Sequence, residues 1–284
     1  MSKKIIWFFT FLICISCQNF GQLKILAGLP KDLKEVSGVE FERKSDLIWM
    51  INDGGNEPKL FAVSKKGNIK REVSVKTKNH DWEDLTSDEM GNIYIGDFGN
   101  NLSKRKNLKI LKIDKKYLHK KKAEVEKIEF EYENQEKFSS KKKRLLFDAE
   151  AFFYFKNYIY IFTKSRVNKK YGRTFLYKFP AKKGNHIAKL IGEYKNCKDL
   201  KCWTTSADIS DDGTKVALLS QKNVLIFSNF KDDNFFSGKV KKIKLENKTQ
   251  KEGICFKGVN KLLVTDEKSD GEGGNLYEIT LGYK

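Results

Sequence analysis

The stretch His80-Asp81-Trp82-Glu83-Asp84-Leu85-Thr86-Ser87-Asp88-Glu89-Met90-Gly91-Asn92-Ile93-Tyr94-Ile95-Gly96-Asp97 reads as two short strands about a polar turn. The first strand opens at Trp82, Asp88–Asn92 is the turn, and the second strand ends apolar–small–polar at Ile95-Gly96-Asp97. Turn residues clustered between short apolar runs are a hairpin signal. The phrase recurs. Endings at Ile51-Asn52-Asp53, Phe162-Thr163-Lys164, Leu219-Ser220-Gln221 and Val264-Thr265-Asp266 each follow a strand that begins near Val36, Ala149, Ala207 or Glu252. An internal repeat of this kind organises a whole fold.

Further strands follow each hairpin. Third strands are expected at Leu60–Val63, Leu108–Ile113, Thr174–Phe179, Asn223–Phe227 and Leu276–Ile279. Fourth strands are expected at Ile69–Val75, Val125–Tyr132, Ile187–Tyr194 and Val240–Leu245, but the fifth unit stops after its third. Leu23–Ala27 at the other end is the candidate for the missing strand, and its pairing there would remove two exposed edges. The fold predicted is all-β: a β-propeller of five four-stranded blades, closed by the N-terminal strand. A sixth blade would need further strands within Asp114–Phe147, where only one strand and a Lys-rich linker, Glu136–Arg144, are legible. A β-sandwich would not explain the fivefold repeat.

Composition agrees. The chain has 284 residues, with 39 % hydrophobic and 13 % aromatic residues, enough for a large buried core rich in sheet-forming side chains,. Lys+Arg total 56 against 37 Asp+Glu, a net charge of +19. Such a balance raises nucleic acid or an anionic membrane as partner. Only Arg43, Arg71, Arg105, Arg144, Arg166 and Arg173 are arginine, the residue suited to bidentate phosphate and base contacts,. The lysines crowd into turns and runs such as Lys120-Lys121-Lys122 and Lys141-Lys142-Lys143, where they solvate and protect edges,. No nucleic-acid partner is expected.

Residues 1–16 read as a signal peptide: Lys3 and Lys4 precede an apolar run, Ile5–Ile15, too short to span a bilayer,. Cys17 after Ile15-Ser16 fits a bacterial lipoprotein, with Cys17 lipidated and the protein held to a membrane by that anchor alone. Ordinary cleavage near Gly21 is the competing reading. Either way residues 22–284 form one domain outside the cytoplasm, in the cell envelope or periplasm, and a monomer is the default. In an oxidising compartment Cys197 and Cys202 can close a disulfide; a zinc half-site lacks a second ligand pair. Cys255, between Ile254 and Phe256, reads as a buried thiol,.

In a propeller the loop into each inner strand and the loop after the second strand share one face. One set brings Glu35, Ser37, Asp81, Trp82, Glu83, Asp84, Asp148, Glu150, Ser206, Asp208 and Glu252 toward the channel; the other brings Asp53, Asp97, Lys164, Gln221, Asp266 and Glu267. In a basic chain this acidic convergence needs a counterion. Oxygen-rich sites suit Ca²⁺ or Mg²⁺, and the candidate metal ligands are Asp53, Glu83, Asp97, Glu150, Glu252 and Asp266. Trp82, Asp84, Asp148, Lys164 and Asp208 are the candidates for ligand contact. His80, Glu83, Glu150 and Lys164 are the candidates for catalysis. Against this, single acids at such places often cap turns or tie blades together, and Trp82 can pack between sheets.

Three phrases carry a family likeness: His80-Asp81-Trp82-Glu83-Asp84-Leu85 with the strand ending at Asp97; Asp148-Ala149-Glu150-Ala151 with Tyr158–Lys164; and Ser206-Ala207-Asp208-Ile209-Ser210 with Asp212-Gly213. Together they resemble secreted bacterial propeller proteins near the SdiA-regulated family and the esterase-like phytase domain. Val36–Phe41 and Trp49–Asp53 are similar to SdiA-regulated sequences specifically. The resemblance implies a propeller with a calcium or other divalent ion at acidic channel residues. It places Asp81, Glu83, Asp84, Asp97, Asp148, Glu150 and Lys164 at a shared mouth. No complete phytase metal pattern is present. In the more distant gluconolactonase type, a metal is held by Glu, Asn and Asp, and Glu83 or Glu252 would take the Glu part. Two functions follow as expectations. One is an envelope binding module whose metal-bearing mouth takes a small molecule or a protein partner. The other is a metal-dependent hydrolase of an ester, lactone or phosphoester.

Overall fold

The computed structural model describes residues 22–138, 141–142, 145–246 and 249–282. The signal peptide, Cys17 and the cleavage near Gly21 lie outside the described residues. After β1 (Lys24–Gly28), the first unit holds β2 (Val36–Glu42), β3 (Leu47–Asn52), β4 (Lys59–Val63) and β5 (Ile69–Val75). The second holds β6 (Trp82–Ser87), β7 (Ile93–Asp97), β8 (Lys109–Ile113), the two-residue β9 (Lys122–Ala123) and β10 (Glu126–Tyr132). β11 (Asp148–Phe155), β12 (Tyr158–Lys164), β13 (Arg173–Pro180) and β14 (Gly184–Lys195) form the third. The fourth is β15 (Ser206–Ile209), β16 (Lys215–Leu219), β17 (Asn223–Ser228) and β18 (Lys239–Lys244). The fifth comprises β19 (Lys251–Phe256), β20 (Lys261–Asp266), a small hairpin β21 (Lys268–Ser269) and β22 (Glu272–Gly273), and β23 (Asn275–Thr280). Among the described residues helix is limited to short 3₁₀ turns, and no helix there is long and apolar enough to cross a membrane.

Each unit is an antiparallel meander. The fifth takes β1 as its outer strand, in the order β1-β23-β20-β19, with Lys24 opposite Glu278 and Gly28 opposite Asn275. The first strands β2, β6, β11, β15 and β19 touch their neighbours in a ring, β19 meeting β2. Hydrophobic clusters fill the spaces between consecutive sheets. Trp49, Ile51, Trp82 and Ile95 join the first unit to the second, and Phe98, Phe130, Phe152 and Tyr177 the second to the third. Phe153, Phe162, Phe227 and Phe235 join the third to the fourth. Leu219, Ile226, Ile254 and Tyr277 follow between the fourth and fifth, while Met50, Phe61, Leu263 and Leu276 return the core to the first. The fold is a β-propeller. Apolar side chains on both faces of a sheet, as in Leu47–Ile51 and Ile159–Phe162, are what sheets packed face to face on both sides require.

Two outer edges are covered in ways the repeat did not foretell. β9 pairs in parallel with β5, and β10 pairs in parallel with β14, joining the second and third units into one eight-stranded sheet. Both pairings satisfy edge N–H and C=O groups that would otherwise face solvent.

Candidate functional site

Four of the five inner strands carry a register shift at one end of the channel. The shifts lie between Val36 and Gly38, Trp82 and Leu85, Ala149 and Ala151, and Lys251 and Gly253. The residues they skip are Ser37, Glu83 with Asp84, Glu150 and Glu252. A bulge leaves its extra residue out of the ladder and re-aims the side chain. In this way Ser37, Glu83, Glu150 and Glu252 reach one pocket of about 230 Å³ at the upper mouth of the channel. The end of β12 adds Lys164, loops after the other second strands add Asp53, Gln221 and Glu267, and the loop into β6 adds Asp81. The convergence expected from the repeat is therefore present, with the bulge as its mechanism.

On one wall, Asp53, Asp81 and Glu83 each present a carboxylate oxygen, all within 4.8 Å of one another. Their crowding depends on two glycines. A Cβ at Gly99 would fall 2.0 Å from Glu83 Oε1 and 2.3 Å from Asp81 Oδ2, and one at Gly54 would fall 2.5 Å from Asp81 Oδ1. Asp53 accepts a hydrogen bond from the Gly54 N–H. Among the described residues none of the three acids forms an ion pair. Burial, then the charge of Asp53, pushes Asp81 up to about 6. Burial, then Glu150 and Asp53, holds Glu83 well above the carboxylate range. Burial also raises Asp53. An all-oxygen donor set short of positive charge fits a hard divalent cation.

The opposite wall is cationic. Lys164 donates to Glu150, and Arg166 Nη2 lies 3.0 Å from the other Glu150 oxygen. Both cations face Trp203, with Lys164 Nζ 4.2 Å and Arg166 Cζ 5.4 Å from a ring centroid, in cation–π range,. Burial pulls Lys164 down, but Glu150, Glu252 and Asp148 outweigh it and the ammonium is stabilised. Glu150 rises to about 7, burial prevailing over the lysine. Glu252 is raised well above its usual range by burial, and Glu267 to about 7 by burial and by Asp53.

Other residues expected at the mouth are engaged elsewhere. Asp97 is fully buried and paired with Arg105 Nη2 at 2.7 Å and Lys109 Nζ at 3.2 Å, so it is spent as a metal ligand. Asp266 accepts from Tyr277 Oη at 2.7 Å and the Asn275 N–H at 2.8 Å, and also from Thr249. Asp148 accepts from the Asn100 N–H at 2.8 Å and pairs with Arg166. Asp84 is deep in the channel, accepting from Ser206 Oγ at 2.9 Å and from the N–H groups of Leu85 and Ala207. Trp82 is fully buried in the core between the first two sheets and does not line the pocket. His80 binds Asp97 Oδ2 at 3.1 Å and does not line the pocket. Asp208 lies at the other end of the channel, where it accepts from the Phe256 N–H.

Asn101, Arg166, Trp203, Thr205 and Gln250 line the pocket without having been singled out in the sequence. Trp203 directly follows Cys202, which is joined to Cys197 by a disulfide. That adjacency is the one signal that could have flagged it. Cys255 is buried and free.

No protein-family model matches the chain, and no curated protein does. Solved structures do match in fold. The PQQ-bound aldose sugar dehydrogenase from Streptomyces coelicolor superposes with a TM-score of 0.53 at 8 % identity, covering 91 % of this chain and 97 % of that one. A gluconolactonase from Xanthomonas campestris gives 0.50 at 10 % identity, covering 92 % and 89 %. A virginiamycin B lyase from Staphylococcus aureus gives 0.44 at 12 % identity, covering 89 % and 69 %. At such identities the likeness is one of fold, the β-propeller.

Proposed function

We propose that the protein is a cell-envelope binding module whose upper channel mouth holds a divalent cation, Ca²⁺ by the chemistry of its donors, and with it an oxygen-rich ligand. Asp53, Asp81 and Glu83 would hold the ion. Lys164, Arg166 and Trp203 would bind the ligand's anionic or hydroxylated part from the facing wall. The observation that carries this reading is the cluster of three carboxylates within 4.8 Å, none in an ion pair among the described residues. Carboxylates so placed repel unless a cation joins them. The SdiA-regulated likeness belongs to the same proposal, as does an extracytoplasmic, lipid-anchored location, which the leader sequence and the Cys197–Cys202 disulfide support,.

Calcium titration into chelator-treated protein tests it. An ion bound only by the folded state stabilises by about 2.7 kcal/mol at one hundred times Kd. A domain of this size then melts roughly 5–10 °C higher. Asp81→Asn with Glu83→Gln should abolish the rise. Absence of any rise with Ca²⁺, Mg²⁺, Mn²⁺ or Zn²⁺ would remove the metal and the reading with it.

One observation favours catalysis as the second reading. Glu150, held at about 7 beside Lys164, has the proton affinity of a general acid or base at neutral pH,. A metal at the facing wall would polarise an ester, lactone or phosphoester. Turnover of a chromogenic panel that is lost in Glu150→Gln would establish the hydrolase; a silent panel leaves the binding module.

A further inference from the structure

The chain enters the propeller at a defined end. Lys24, at the start of β1, pairs with Glu278 on β23, and Leu281 just beyond β23 donates its N–H to the Asn260 carbonyl in the turn between β19 and β20. That turn belongs to the lower face, the end of the channel opposite the upper mouth. Gly28, at the other end of β1, pairs with Asn275, whose N–H binds Asp266 at the upper end of β20. Leu23 is buried in the core between the fourth and fifth sheets, which fixes the point of entry. A tether preceding Gln22 therefore leaves from the lower face. Five peptide links separate Cys17 from Gln22, a reach of at most about 18 Å. β1 itself has five residues, about 17 Å of strand. To set the upper mouth against a membrane, the tether would have to retrace that whole strand, with nothing left to turn the corner. A membrane under the lower face is within its reach.

That face is chemically suited to anionic headgroups. Its turns carry Lys44, Lys66, Lys115, Lys156, Lys183 and Lys231, all exposed and spread over the first four units. None of the six forms an ion pair among the described residues. Most acids of the same turns are spent on partners. Asp211 pairs with Arg43, Asp46 with Lys65, Asp114 with Lys116, Asp233 with Lys178, and Glu278 with Lys257 and Lys261. Glu42, Asp88 and Asp212 accept hydrogen bonds within their own hairpins. Glu89 and Asp232 remain exposed. Lysines such as Lys104, Lys169 and Lys268 populate the upper face too, so charge alone does not choose between the faces; the tether does.

We infer that the lower face is a membrane-docking surface: a lipid on Cys17 holds it against anionic headgroups, the exposed lysines of its turns bind their phosphates, and the upper mouth faces away from the membrane, open to soluble ligands. The inference rests on the lipid-anchored location proposed for the protein, and it gives that anchor an electrostatic partner. Lipid anchors commonly act together with a basic patch. The attraction extends over a Debye length, ~8 Å at physiological salt.

Lysine acetylation tests this on the full chain, made with its leader in a bacterial host and added from detergent to vesicles of phosphatidylethanolamine and phosphatidylglycerol in a three-to-one ratio. Acetic anhydride crosses bilayers, and peptide mass spectrometry reads each lysine separately. Lys44, Lys66, Lys156 and Lys183 should acetylate at least threefold more slowly on these vesicles than in detergent, while Lys104, Lys169 and Lys268 keep their rates. Vesicles of phosphatidylcholine alone should at least halve that protection. The same spectra report the mass of the N-terminal peptide. An unlipidated Cys17 removes the anchored location and the docking with it; a lipidated Cys17 with unprotected lower-face lysines removes the docking alone. Protection of the upper-face lysines instead, or equal protection on both lipids, also overturns the inference.

Discussion

The upper mouth and the centre of the channel are built from the same residue types on the same strands, yet their carboxylates meet opposite conditions. Glu83 and Asp84 are adjacent in one bulge of β6. Glu83 opens into the pocket beside Asp53 and Asp81, with no cation paired to it among the described residues. Asp84, fully buried, is surrounded by donors from β6 and β15, and from Phe152 on β11. Ser206 Oγ, while donating to Asp84, accepts from the Ile254 N–H on β19. Asp84 and Ser206 together thus tie four of the five inner strands. What separates a site from a keystone here is the supply of hydrogen-bond donors, since burial and charge are alike.

That contrast can be broken most forcefully at the centre. Deleting Gln22–Leu29 sets the scale, because it strips β1 from β23 and removes Leu23, Leu26 and Leu29 from two core clusters. Loss of cooperative unfolding is expected; unchanged melting would refute closure of the ring by β1. Asp84→Ala should approach that effect. It orphans several buried donors at about 1–3 kcal/mol each, so a loss of roughly 3–5 kcal/mol is expected in denaturant unfolding. Glu83→Gln, one residue away, should leave the chelated protein as stable as wild type or more so. Equal losses at the two positions would erase the distinction between mouth and centre.

The fold and half of the site were legible in the sequence for a local reason. Strand alternation and turn chemistry are written within a few residues, so the turn at Asp88–Asn92 and the paired first and second strands of all five units stand where expected. The repeat then brings Asp53, Glu83, Glu150, Lys164 and Glu252 to one mouth. What stayed hidden is set by distant partners. Asp97 resembles Asp53 in sequence, but Arg105 and Lys109 neutralise it from the loop and strand that follow. Asp266 is taken by Tyr277 on β23. Asp208 resembles Glu150, yet without a bulge in β15 its side chain serves the opposite end. Arg166 and Trp203 sit in loops, where no periodicity reports direction.

A subtler way to sharpen the comparison uses pH. Asp81 and Glu267, raised to about 6 and about 7, bind a proton more tightly when folded than unfolded. The chelated protein should therefore be most stable in mild acid and lose stability as pH rises from the ordinary carboxyl range, about 4, through about 7. Saturating Ca²⁺, which favours the ionised acids, should flatten or reverse that slope. Melting curves at pH 4.5, 6 and 7.5, with and without the ion, measure both. A chelated protein that gains stability across this interval would contradict a mouth short of positive charge.

The smallest expected effect divides the mouth itself. Its acidic wall rests largely on strand ends and bulges, whereas Trp203 hangs from a loop closed by Cys197–Cys202 with a sequence separation of 5. So short a loop limits the chain-entropy contribution to about 2 kcal/mol. Cys197→Ala with Cys202→Ala should lower the melting temperature by several degrees and alter Trp203 fluorescence, because Lys164 and Arg166 no longer face a fixed ring. The calcium-induced rise should survive, since Asp53, Asp81 and Glu83 are held by Gly54, Gly99 and the β6 bulge rather than by this loop. If the calcium rise disappears with the disulfide, the two walls form a single structural unit, and the cation cluster owes its geometry to the loop as well as to the strands.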